Sequence, residues 1–224
     1  MIRSRLTYPQ LSCSVKKELF VIENQHGKQI QVLPCSNVSL TGFGKHTVLD
    51  MPYLFVTEPF TGSGKIWVYK WVRVKSRRHQ FQLVYTVSRP SAMQWEPVGF
   101  AQVIRWHEPY LFITDTTYPN FHGSLFMCCI NQSTKVNQLY QHATQYECVG
   151  HSLNVTTTED TNISAHMKRR RYVYHVVLTG INRMTGEPLV KELDFRETSR
   201  GQLELLEPAE NSDVELDVEL DVEP

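Results

Sequence analysis

The sequence holds no uninterrupted apolar run near the ~20 residues that cross a bilayer. Its opening, Met1-Ile-Arg-Ser-Arg, carries two arginines but not the apolar stretch of a secretory signal. Neither a membrane span nor export is therefore expected. Cysteine is also scarce: Cys13, Cys35, Cys128, Cys129 and Cys148 form an odd set of five. A sparse odd set without an export signal points to reduced thiols in the cytoplasm or nucleus. The sequons at Asn37, Asn131, Asn154 and Asn162 would then stay unmodified, because glycosylation needs the secretory route.

The motifs of several chemistries are missing too. There is no Cys-x-x-Cys pair, and the adjacent Cys128 and Cys129 would point to opposite faces of a strand. The one local pair at ligand-like spacing is Cys148 with His151, which would need His142 or His122 beside it; no metal or other cofactor is expected. No phosphate-binding Gly-x-x-x-x-Gly-Lys-Ser/Thr occurs, and Thr61-Gly-Ser-Gly-Lys65 reads as a turn leading into a strand. A hydrolase can be assembled on paper from His46, Asp50 and Ser63, or from Cys148 and His175. Neither set has a Gly-x-Ser-x-Gly or comparable motif around its nucleophile, so an enzyme is not the expected class.

What the chain does contain is a core's worth of apolar residues, 41% against 21% charged, over a length that fits one domain. Its 23 bases and 23 acids sum to zero, but they are not mixed evenly. No base follows Arg200. Beyond Gly201 the chain carries nine acids, leaving residues 1–201 with 14 acids against 23 bases, a formal +9 opposed by a tail of −9. A basic body attracts polyanions such as nucleic acid, and an acidic tail competes for the same surface.

Short runs of Val, Ile, Leu, Phe, Tyr and Trp, separated by Gly, Pro, Asn and Ser, recur through most of the chain and give a mainly β reading. The expected architecture is an antiparallel sandwich or barrel of about 9–11 strands with at most one or two short helices. A single β-rich domain spans 1–200, and an acidic tail over 201–224 is expected to be disordered. Residues 18–23 and 29–33 form a first hairpin around Gly27, and 172–181 with 188–195 a late one around Thr185-Gly186. Val136, Leu139, Tyr140 and Ala143, three and four apart, place a helix over 133–146, with two further strands as the competing reading. Residues 152–170 are polar without period and read as a long surface loop.

The chain also echoes itself. Pro52-Tyr-Leu-Phe-Val-Thr-Glu58 and Pro109-Tyr-Leu-Phe-Ile-Thr-Asp115 agree at five of seven positions, 57 residues apart. They suggest two related β-modules, 18–75 and 81–130. Two units are too few for a solenoid or propeller.

Two basic features remain. In residues 65–78, period-two alternation puts Lys65, Trp67, Tyr69, Trp71, Arg73 and Lys75 on one face, with Arg77 and Arg78 at the end. Exposed, that face is a platform on which bases stack while cations meet phosphates. Buried, the same rings are core and the basic stems run to its rim. Lys168, Arg169, Arg170 and Arg171 form a second cluster, suited to a phosphate clamp or a nuclear import signal.

The reading from sequence is thus a non-enzymatic, regulatory binding protein whose basic body contacts nucleic acid or another polyanion, modulated by its acidic tail. The alternative is a protein–protein adaptor or accessory factor, a viral accessory factor included, in which Val214, Leu216, Val218 and Leu220 of the tail engage a protein partner's basic groove or sheet edge.

Overall fold

The computed structural model describes residues 8–35, 38–62, 64–74, 78–90, 99–116, 123–130, 135–142, 147–160, 171–198 and 201–206, and the statements below concern those. They form fifteen strands in four antiparallel sheets, with one four-residue helix, α1, at Val38–Thr41. The mainly β class holds.

Each sheet is a meander of consecutive strands. The first contains β1 (Leu11–Lys16), β2 (Leu19–Asn24) and β3 (Gln29–Leu33). The second contains β4 (Thr47–Asp50), β5 (Tyr53–Glu58), β6 (Lys65–Arg73) and β7 (His79–Ser88). The third contains β8 (Phe100–His107), β9 (Tyr110–Asp115), β10 (Ser124–Cys129) and β11 (Val136–Gln141). The fourth contains β12 (Glu147–Glu159), β13 (Tyr172–Asn182), β14 (Pro188–Glu197) and β15 (Leu203–Leu206).

The sheets stack face to face in chain order. Phe20, Ile22, Leu54, Val56 and Tyr69 belong to a core between the first and second sheets. Phe55, Ile66, Val68, Leu111, Ile113 and Phe126 fill the next interface, and Phe112, Leu125, Met127, Tyr174, Val176 and Phe195 the last. The inner strands of the third sheet are therefore apolar on both faces, and β9 and β10 are buried at every position. Cys128 and Cys129 do point into different cores. First strands lie beside first strands (β4 against β8, β8 against β12), and last against last (β3 against β7, β11 against β15).

The echo marks equivalent strands. β5 and β9 occupy the same place in successive sheets, each entered through a cis X-Pro bond, Met51-Pro52 and Glu108-Pro109. Leu54 and Val56 face the core before their sheet and Phe55 the core after it; Leu111, Ile113 and Phe112 do the same one sheet later. The two copies lie in successive sheets, the first in β4–β7 and the second in β8–β11.

Three further expectations change. Residues 136–141 are strand β11 and not part of a helix. A register shift opposite Leu125 and Phe126 leaves Leu139 as an extra residue, so Leu139 and Tyr140 both turn to the last core while Val136 faces the one before. That bulge produces the spacing of three and four that resembles a helix. Residues 152–159 belong to β12, with Leu153 and Val155 inward and Asn154, Thr156 and Thr158 outward. Leu203–Leu206, assigned from sequence to the tail, pairs with β14 as β15.

Candidate functional site

Strand directions sort the loops onto two sides of the stack. On one side, which we call the crossover side, the chain passes from sheet to sheet. Ser88, Lys65 and Glu58 are there in the second sheet, with Phe100 and Asp115 in the third. Gly64, whose added Cβ would lie 2.7 Å from the Phe100 carbonyl oxygen, fixes that correspondence. On the far side lie the β6–β7 turn, paired at Arg73 and His79, the Glu108-Pro109 turn, and the β12–β13 connection, paired at Glu159 and Tyr172.

Of the two basic features, the described members Arg73, Arg78 and Arg171 lie on the far side. Arg73 and Arg78 flank the β6–β7 turn and are exposed, and Arg171 leads into β13 half-buried, its backbone oxygen accepting from Asp160 N at 3.0 Å. Lys75, Arg77, Lys168, Arg169 and Arg170 lie outside the described residues, as do Val214, Leu216, Val218 and Leu220.

The aromatic face of β6 is not a free platform. Tyr69 is 4% exposed, and Trp67 and Trp71 are half-buried against the same core. Trp71 stacks on His79, ring centroids 5.9 Å apart and planes 13° apart, and packs on Phe81. Burial, with Cys35 and Glu58 nearby, pushes the Tyr69 hydroxyl up to about 12. The cause is topological: the first sheet covers the Trp67–Tyr69 face and the third covers the Ile66–Val68 face. Of this strand's candidates, Arg73 is exposed and Lys65 half-buried on the crossover side.

That burial creates something the sequence reading missed. A cleft of about 590 Å³ opens between the first and second sheets on the crossover side, lined by Leu19, Val32, Pro34, Cys35, Phe43, Glu58, Trp67, Tyr69 and Leu83 among others. Trp67 Nε1 donates to Glu58 Oε2 at 2.7 Å, and Glu58 is 5% exposed. A signal for Glu58 existed in the echo: both copies end in an acid, and the second copy's acid, Asp115, is buried against Arg89 Nη2 at 2.6 Å. No family model, curated protein or solved structure matches this chain.

The other sequence candidates separate. Cys148 is buried and donates to the Thr116 carbonyl at 3.0 Å, and burial raises its thiol pKa above the ordinary range; His151 is exposed. No three His, Cys, Asp or Glu side chains converge on a metal-sized site among the described residues. His175 does not meet Cys148. It lies on the outer face of the fourth sheet, where Nδ1 donates to Asp194 Oδ1 at 2.7 Å and Nε2 meets Thr158 Oγ1 at 2.9 Å. That row has the hydrogen-bond order of a hydroxyl–imidazole–carboxylate triad, but it lies on a sheet face with the His175 and Asp194 side chains 36% and 49% exposed. His46 accepts at Nε2 from Arg105 Nη1 at 3.3 Å, Asp50 is exposed at the far end of β4, and Ser63 lies outside the described residues. No helix among the described residues is long and apolar enough to cross a membrane.

Proposed function

We propose that this chain is a non-enzymatic binding protein whose basic β-rich body contacts a polyanion, nucleic acid in the first instance, through phosphate charges and without base stacking. The observation that carries the reading is the shared position of the two basic turns: Arg73 and Arg78 in the second sheet and Arg171 in the fourth leave the stack on the same side. Cations on one side add to one potential, whereas cations on opposite sides would not. Stacking has no part because Tyr69 is buried and Trp71 already stacks on His79. The acidic C-terminal segment acts as a tethered competitor for the basic side.

The test is fluorescence anisotropy of a labelled single-stranded oligonucleotide with the full chain between 50 and 200 mM salt. A logarithmic salt slope of about −0.7 per phosphate contact is expected for a single strand, so Arg73→Gln, Arg78→Gln and Arg171→Gln together should flatten it by about 2. Affinity should be indifferent to base identity. Removing residues 207–224, a cut that spares β15, should tighten binding at low salt. No salt-dependent binding by either form ends the proposal.

The burial of the aromatic face favours a second reading over any stacking model: an adaptor in which Val214, Leu216, Val218 and Leu220 alternate with acids to join a partner's sheet edge or basic groove. A tail peptide should then retain a partner that a Leu216→Lys, Leu220→Lys peptide loses. Equal retention by both peptides counts against it.

A further inference from the structure

We propose that the cleft between the first and second sheets binds a guanidinium group on a short apolar stem, with Glu58 as its counter-ion. This inference does not depend on the polyanion reading, whose cations lie on the opposite side of the stack. Its basis is the comparison of two equivalent acids. Glu58 and Asp115 end equivalent strands of the echo, and both are buried. Asp115 is neutralised from within the chain: Arg89, the residue following β7 of the preceding sheet, reaches it at 2.6 Å. The corresponding position after β3 of the first sheet is Pro34, and there the chain supplies no base. Pro34 lines the cleft beside Glu58 instead.

Among the described residues Glu58 thus keeps a neutral donor, Trp67 Nε1, but forms no ion pair. Lys65 stands opposite it in the β5–β6 register and makes no ion pair with it. A carboxylate removed from water without a counter-charge is unfavourable, and it retains acceptor capacity after one hydrogen bond. Around it the lining is mainly apolar: Leu19, Val32, Pro34 and Leu83, with the Trp67 ring among them. The volume of about 590 Å³ is that of a small-ligand site. A planar guanidinium meets a carboxylate through two parallel N–H bonds and packs its plane on an aromatic ring, and an alkyl stem fits the apolar mouth. The ligand supplies what Arg89 supplies one sheet later. The source is a free guanidino compound or an arginine of a bound peptide, and the chemistry at Glu58 is the same for both.

The test uses the full chain with n-butylguanidinium and its neutral isostere n-butylurea, followed by Trp fluorescence and by protection of Cys35, which lines the cleft, from a maleimide. Binding at millimolar concentration or below is expected for the cation, at least tenfold tighter than for the urea. Glu58→Gln keeps an acceptor for Trp67 Nε1, so it should preserve the fold and erase the difference. Pro34→Arg, at an exposed position, offers the cleft an internal guanidinium and should weaken n-butylguanidinium at least tenfold. Acetyl-Gly-Arg-Gly-amide binding more tightly than n-butylguanidinium assigns the site to a peptide arginine; the reverse assigns it to a small molecule. Equal binding of cation and urea, unchanged affinity in Glu58→Gln, or no Cys35 protection by n-butylguanidinium overturns the proposal.

Discussion

The ion pair of Arg89 with Asp115 is the interaction on which the stack's stability should depend most sharply. Its N–O distance is 2.6 Å and both side chains are 0% exposed. Lys16 and Glu23, across β1 and β2, are also 2.6 Å apart but 54% and 14% exposed. The two pairs share a distance and differ in solvent, so comparing them isolates burial. Removing one partner of a buried pair leaves an uncompensated charge in a low-dielectric interior and costs about 3–5 kcal/mol, whereas a surface pair contributes about 0–1 kcal/mol. Asp115→Asn and Arg89→Met should each lower stability by about 3–5 kcal/mol, roughly 6–20 °C in Tm for a chain of this size. Lys16→Met should cost under ~1 kcal/mol. The double variant Arg89→Met, Asp115→Leu should lose much less than the sum of the single losses, because no unpaired charge remains. Urea unfolding followed by far-UV circular dichroism measures all four. If Asp115→Asn costs no more than Lys16→Met, burial does not govern this pair and the comparison of Glu58 with Asp115 loses its physical basis.

Two other outcomes follow from local geometry. Burial, and then the Arg105 charge, hold the His46 imidazole below its usual range. The unfolded chain therefore takes up that proton first as pH falls, so His46's contribution is complete above about pH 6.5 and lost on acidification through its native value. The urea midpoint should fall less between pH 7.5 and 5 in His46→Gln than in the parent, and parallel profiles would refute it. At Gly180 an added Cβ would lie 2.0 Å from the Cys148 carbonyl oxygen and 2.7 Å from Val149 Cα, at the β12 bulge. Gly180→Ala should cost about 3 kcal/mol or more, as overpacking against backbone. Gly186, at φ 75° with open space around it, should lose only about 1 kcal/mol as Ala. Equal urea midpoints for the two variants would contradict this.

The hairpins were legible because local chemistry makes them. Asn182 Oδ1 accepts from Met184 N and Thr185 N, and Asn24 Oδ1 from His26 N and Lys28 N, whatever the rest of the chain does. β11 was legible only as the competing reading of 133–146, since a bulge changes the period of its apolar residues and only the partner strand shows where the bulge is. β12 was missed over 152–159 because its outward residues are polar and only Leu153 and Val155 turn to the core.

The sequence alone determined the strand class, the two faces of β6, the pair of acids closing the echo and the opposed charges of body and tail, because each is a matter of residue type and spacing along one chain. Only the tertiary structure decided that the β6 rings face a covering sheet and that Arg73, Arg78 and Arg171 share a side. It alone revealed that Asp115 meets an arginine where Glu58 meets a cleft. Those outcomes depend on which sheet lies against which and on strand direction, contacts between residues far apart in sequence that no local pattern encodes.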